Sequence, residues 1–217
     1  MRAQHGHVLA IIGQGYVGLP LAMAAVDAGW TVIGVDNFEA KVAQINSGSS
    51  PVEDISDLKL QSALASGAYR ATDDFSSVTE ASVITICVPT PLNEKREPDL
   101  DLLKSAATGI SPYVSDEALV VSESTSYPGT LREIIIPIVN SLKPTNSKRV
   151  YFASAPERLI PATQHGIRKI HRGLLEQLMQ SQKNERSHSM NLYVMQPFQF
   201  QPLRLQRPLS FLKILFV

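Results

Sequence analysis

The 217-residue sequence has one cysteine, Cys87. It cannot form an internal disulfide, which excludes the stapled secreted folds and leads us to expect a reducing, cytoplasmic setting. Metal-ligand clusters are also missing: His5 and His7 near the start have no cysteine or acidic neighbour and read as exposed leader residues, so no metal is expected. Net charge is zero, with 20 Lys/Arg against 20 Asp/Glu, and no basic run interleaved with aromatics occurs, so nucleic acid is not an expected partner. No apolar stretch reaches the roughly 20 residues that span a bilayer, and no signal peptide precedes residue 8, so no membrane partner is expected either. One absence is local. Residues 162–217 contain no Asp and only two Glu against eight Lys/Arg, so a segment of charge about +6 follows a remainder of about −6.

What is present is organised around residues 8–22, where an apolar run ends in glycines at a G-x-G-x-x-G spacing and then becomes helical. Gly13 permits the tight turn out of a strand. Gly15 lets the backbone approach a pyrophosphate, and Gly18 lets the helix pack closely on the strand. The helix then points its free N–H groups and positive dipole end at phosphate. A glycine triplet alone is weak evidence; the supporting signal is an acid at the end of the next strand, and Asp36 follows the β-branched run 31–35. Placed there, Asp36 accepts hydrogen bonds from ribose hydroxyls and repels a 2′-phosphate, which predicts NAD rather than NADP. Lys41, five residues on, either flanks the ribose or a phosphate or is an ordinary exposed lysine.

The rest of the chain alternates strand and helix. Strands are expected at 8–12, 31–35, 69–72, 82–88, 118–122 and 149–153, with 82–88 a fully apolar central strand that contains Cys87 as a small buried hydrophobe. Helices are expected at 16–28, ending at Gly29, then from after Asp36 to 46, at 58–65, at 100–114, and from 130 toward 140 with a kink at Pro137. Trp30 is expected at the domain edge. This is the order of an α/β, Rossmann-type, doubly wound parallel sheet of about six strands. Ligands bind at the carboxyl ends of such strands, where Gly13, Asp36, Pro89-Thr90, Ser124-Thr125 and Glu157 all fall.

With these clusters in order, the chain resembles the UDP-glucose/GDP-mannose dehydrogenase family over residues 8 to about 161. The motifs that carry the resemblance are G-Q-G-Y-V-G-L-P-L-A, Val35-Asp36, C-V-P-T-P-L-N, E-S-T-S-Y-P-G-T and A-P-E-R. The loop T-P-L-N-E-K-R-E-P-D is most similar to the branch acting on UDP-N-acetyl-hexosamines, UDP-N-acetylglucosamine or UDP-N-acetylmannosamine, with UDP-glucose the alternative. The resemblance implies oxidation of the C6 hydroxymethyl of a nucleotide sugar to a carboxylate with two NAD, as in polysaccharide biosynthesis. It adds Tyr16 and Val17 of the glycine turn, and Pro89 and Thr90, to the cofactor-binding residues. It implies that Thr125 is an active-site threonine that positions a water beside the cofactor and that Glu157 is the acid working with that water. On the residues alone, Thr125 also reads as a helix cap and Glu157 as a surface carboxylate. The family's G-x-C-x-P-K-D nucleophile motif, its central-helix Lys and Asn, and its C-terminal nucleotide-binding domain are absent. Its full-length members are homo-oligomers, and this chain lacks their dimerisation helix.

Domains are therefore expected at 1–161, an NAD-binding domain, and 162–217, an out-of-frame tail without a stable fold. The frame argument rests on codon degeneracy: losing one G from CCA GGC AAC ACA GCA TGG GAT turns the family-like Pro-Gly-Asn-Thr-Ala-Trp-Asp into Pro-Ala-Thr-Gln-His-Gly-Ile, which is 161–167. The same offset over 164–186 permits a P-R-I-V-G run, and over 195–217 it permits a helix carrying Lys and Asn. The alternatives are a genuine basic tail and, for the whole chain, a non-catalytic NAD-binding or interaction module.

Overall fold

The computed structural model describes residues 7–94, 96–124, 126–143 and 149–155, and the statements below concern these. Six strands, β1 (Val8–Ile12), β2 (Thr31–Val35), β3 (Tyr69–Thr72), β4 (Val83–Ile86), β5 (Leu119–Ser122) and β6 (Tyr151–Ser154), form one sheet in the order β3-β2-β1-β4-β5-β6. All five neighbouring pairs are parallel. The order reverses between β1 and β4, which opens a crevice at their carboxyl ends, the position where doubly wound sheets bind dinucleotides.

The strands form because β-branched and aliphatic residues fill both faces of a sheet covered by helices. One face holds Ala10, Ile12, Ile84, Ile86 and Val120. It is covered by helix α4 (Asp101–Ile110), whose Leu103, Ala106, Ala107 and Ile110 recur at helical spacing and are all buried. Helix α1 (Gly18–Asp27) connects β1 to β2 and buries seven of its ten residues, Leu19, Leu21 and Met23 among them. It tolerates Pro20 because a proline in the first helical turn removes an N–H that has no partner there. It ends at Gly29, whose φ of +89° is the left-handed conformation of a helix terminator. Helices α2 (Glu39–Asn46) and α3 (Asp57–Ala65) fill the β2–β3 connection; the Ser56 hydroxyl caps α3 by accepting the Lys59 N–H.

Several expected boundaries move, each for a local reason. The first helix begins at Gly18, not 16, because residues 15–17 form the turn that precedes it. The helix expected over 100–114 stops at Ile110, and a 3₁₀ turn, Ser111–Tyr113, holds Pro112, which cannot donate to a continuing helix. The Pro137 kink takes the form of a wide π-type turn, Leu131–Ile135, running into a short helix α5 (Ile136–Leu142) with Pro137 in its first turn. Strand β4 is shorter than expected and not fully apolar: Thr85 is completely buried and its hydroxyl has no partner. Cys87 is buried just past the strand end. The last strand is shifted to Tyr151–Ser154 and half-buried throughout. Trp30, expected at the edge, is 2% exposed, its ring 5.3 Å from that of the exposed His7. Among the described residues no helix is long and apolar enough to cross a membrane, and no three His, Cys, Asp or Glu side chains gather as a metal site.

Candidate cofactor site

The glycine turn shows its purpose in what a side chain would strike. A Cβ on Gly13, whose φ is +94°, would lie 2.7 Å from the Cys87 carbonyl oxygen, and one on Gly18 would lie 1.8 Å from the Gly13 carbonyl oxygen. Both contacts are with backbone, so neither glycine has a cheap replacement. Gly15 is the opposite case: a Cβ there meets nothing within 4 Å. The fold does not need that glycine. An open position at the mouth of a helix, with two neighbouring glycines jammed against backbone, is what a cradle for a close-approaching phosphate requires.

The second part of the site is Asp36, 5% exposed at the end of β2. Its Oδ2 accepts the Gln14 backbone N–H at 2.8 Å and the Lys41 ammonium at 2.8 Å, and its Oδ1 accepts the Phe38 N–H at 3.1 Å. Lys41 is thus an ion-pair partner of Asp36, not an unattached exposed lysine. A carboxylate offers about four acceptor positions, so these three donors leave one open, on Oδ1.

Gly13, Asp36, Lys41 and Pro89 line one cleft of about 200 Å³, with Val88 and Phe75 on its apolar side. Tyr16 is 70% exposed; Val17 and Thr90 are half-buried. Ser124 is buried, and its hydroxyl donates to the Val88 carbonyl at 2.7 Å, tying the end of β5 to the chain leaving β4. Thr125 and Glu157 lie outside the described residues. The structure therefore brings Gly13, Asp36 and Lys41 together with Pro89, which follows the carboxyl end of the neighbouring parallel strand β4.

Four residues escaped the sequence reading. Gln14, between the glycines, is completely buried; its Nε2 donates to the Ile11 carbonyl at 2.8 Å and its Oε1 accepts the Tyr69 hydroxyl at 2.8 Å. Burial, and secondarily the Asp36 charge, hold the Tyr69 phenol well above its ordinary titration range. Gly34 makes room for both, since a Cβ there would lie 2.5 Å from the Tyr69 hydroxyl and 2.7 Å from the Gln14 amide. Phe38 contributes only its N–H. The available signal was Gly34 itself, a glycine inside a β-branched strand, which marks a close approach by another group.

A buried acid at the end of β2, a glycine turn before a helix and the strand order of the sheet define a dinucleotide-binding domain of the Rossmann type. A model of the NAD-binding domain of the UDP-glucose/GDP-mannose dehydrogenase family matches residues 7–187, and the chain belongs to that family. Among curated relatives, it is 36% identical over 159 residues to the UDP-N-acetyl-D-mannosamine dehydrogenase of Methanococcus maripaludis, covering 70% of this chain and 34% of that one. It is 34% identical over 158 residues to the UDP-N-acetyl-D-glucosamine 6-dehydrogenase of Pseudomonas aeruginosa, covering 70% and 36%. The UDP-D-ManNAc dehydrogenase structure from Pyrococcus horikoshii superposes with a TM-score of 0.63 at 32% identity, covering 70% of this chain and 37% of that one. The chain thus spans about a third of the length of the curated relatives it matches.

Proposed function

We propose that this chain supplies the NAD-binding part of a nucleotide-sugar 6-dehydrogenase that takes a UDP-N-acetyl-hexosamine, UDP-N-acetylglucosamine or UDP-N-acetylmannosamine, from C6 alcohol to carboxylate. The observation that carries the cofactor assignment is the glycine turn 13–18 tied to Asp36: Gly13 and Asp36 line one cleft, and the Gln14 N–H between the first two glycines donates to the Asp36 carboxylate. The substrate class rests on the relatives' names and on the T-P-L-N-E-K-R-E-P-D loop. Gly15 and the amino end of α1 would hold the pyrophosphate, Asp36 the ribose hydroxyls, and Pro89 and Thr90 the nicotinamide side. NAD, when bound, supplies the hydride acceptor. Thr125 and Glu157 would position and activate a water, a task suited to a hydroxyl and a carboxylate at neighbouring strand ends. The protein would work in the cytoplasm, in polysaccharide biosynthesis, as a homo-oligomer in its whole form.

The 217 residues by themselves should not turn over a nucleotide sugar. The reaction as the family runs it needs a thiolate to trap the aldehyde, and the one thiol, Cys87, is buried. We read residues 162–217 as translated out of frame, from one lost base near codon 161. Resequencing the gene across that codon tests this, and an unbroken frame would overturn it.

The cofactor assignment is tested by calorimetric titration of the 217-residue chain with NAD and NADP. Tighter binding of NAD is expected, and Asp36→Ala should weaken NAD and narrow the gap between the two cofactors. An unchanged preference in Asp36→Ala would refute the ribose role. NADH formation above the level of a Thr125→Ala, Glu157→Ala control, with UDP-N-acetylglucosamine, UDP-N-acetylmannosamine or UDP-glucose as substrate, would refute the inactivity of the chain alone.

A further inference from the structure

Beneath the cradle lies a polar chain that the cofactor itself would not touch. It begins at Tyr69 on the edge strand β3, crosses β2 at Gly34 and ends at Gln14 in the turn after β1. Neighbouring strands lie about 4.8 Å apart, so the phenol reaches across one spacing to Gly34 on β2, where the Gln14 side chain, coming from the other side, meets it. Gln14 is then held by four hydrogen bonds at three of its atoms. Its Oε1 accepts the Tyr69 hydroxyl, its Nε2 donates to the carbonyls of Ile11 at 2.8 Å and Gly13 at 3.3 Å, and its backbone N–H donates to Asp36. One side chain therefore fixes the carbonyl of the first cradle glycine, while the same residue's N–H fixes the ribose acid.

We infer that Tyr69 and Gln14 are a positioning pair for the dinucleotide site, with Gly34 the slot that admits them. The inference rests on the NAD reading above. Without the Tyr69 hydroxyl, the buried Gln14 amide keeps its two donor bonds and loses the contact that fixes its rotamer. The Gly13 carbonyl and the Asp36 carboxylate then lose a common anchor. Side-chain networks of this kind either specify one geometry when every member is satisfied or loosen when one is removed.

The test is NAD and ADP titration of wild type, Tyr69→Phe and the double variant Tyr69→Phe, Gln14→Met, each with a thermal melt, all in the 217-residue chain. Tyr69→Phe should weaken NAD about tenfold, the loss of one buried hydrogen bond. ADP should weaken by the same factor, because the pair acts on the ribose and pyrophosphate side. The double variant replaces both partners by apolar groups and should recover melting temperature without recovering affinity. Wild-type affinity in a Tyr69→Phe protein with a lowered melting temperature would make the pair purely structural and overturn the inference, as would recovery of affinity in the double variant. An unaltered ADP affinity beside a weakened NAD affinity would also overturn it. Failure of the wild type to bind NAD at all would instead refute the cofactor reading, and this inference with it.

Discussion

In the half of the sheet made by β3, β2 and β1, the ligand-facing ends are tied by buried polar atoms: Tyr69 to Gln14, Gln14 to Asp36, Asp36 to Lys41. In the half made by β4 and β5, Ile84, Ile86 and Val120 pack under the Leu103–Ile110 stripe of α4, and the Ser124 hydroxyl donates to the Val88 carbonyl. The two halves share one apolar core, which also takes in Ala10, Ile12, Ile33 and Val35 of β1 and β2, and they differ in the polar ties at their strand ends. Apolar contact is strong but non-directional, and it sets where a strand lies. Hydrogen bonds are weak in net energy but directional, and they set where a carboxylate or carbonyl points. A site that must present one acid and one glycine turn to a ligand uses the second kind.

The largest expected effect that separates the halves comes from Gly18→Ala. Its Cβ would sit 1.8 Å from a backbone oxygen, so either the first turn of α1 or the cradle must move. NAD binding should fall by on the order of a hundredfold or more, since about 3 kcal/mol of lost geometry is worth that much. Near-wild-type affinity measured by calorimetry would show that the cradle is not rigid. Next comes Leu103→Ala in the apolar half. It should cost about 2–5 kcal/mol of stability in urea denaturation. Below the transition its NAD affinity should match wild type, and a coupled loss of affinity would mean that the halves are not separate. Gly15→Ala is smaller and cleaner. Its methyl meets nothing within 4 Å, so the melting temperature should hold while NAD weakens about tenfold. A melting shift would contradict the open geometry, and unchanged affinity would contradict the phosphate role.

The same division explains what the sequence revealed. Strands β1, β2 and β3 were expected at the residues where they occur, because an apolar run in β1 and β2, and an alternation of buried and exposed residues in β3, are local signals. The tight glycine turn and the place of Asp36 at the end of β2 were legible for the same reason: their spacing along the chain marks a strand, a turn into a helix and the next strand end. Gln14 and Tyr69 were not, because their contact joins residues 55 apart in sequence across an intervening strand, and neither residue type announces a partner. Lys41 stayed ambiguous until the turn after β2 brought its ammonium to Asp36. The end of α4 and the wide turn before Pro137 were misjudged since proline predicts an interruption without saying which way the backbone resolves it. Thr85 was hidden inside an apolar pattern.

The smallest effect expected is one of pH, and it should belong to the polar half alone. Burial first and the Asp36 charge second favour the neutral Tyr69 phenol, so its folded pKa lies above that of the unfolded chain, which is about 10. A raised pKa means that the stabilisation is complete below the unfolded value and is lost as pH rises from there through the folded value. Above about pH 10 the unfolded state releases a proton that the fold retains, so stability should fall by up to about 1.4 kcal/mol per pH unit from this group. Tyr69→Phe starts less stable near neutrality, because it leaves the Gln14 amide oxygen unpartnered. It should then lose less than wild type between pH 9 and 11. Asp36→Asn removes the secondary cause and should fall between the two. Urea midpoints measured across that interval decide the matter: parallel curves for wild type and Tyr69→Phe would show that the phenol does not resist ionisation in the fold. A divergence confined to alkaline pH would place the titrating group in the network under the cradle, and Leu103→Ala, which alters apolar packing and none of the network's hydrogen bonds, should run parallel to wild type throughout.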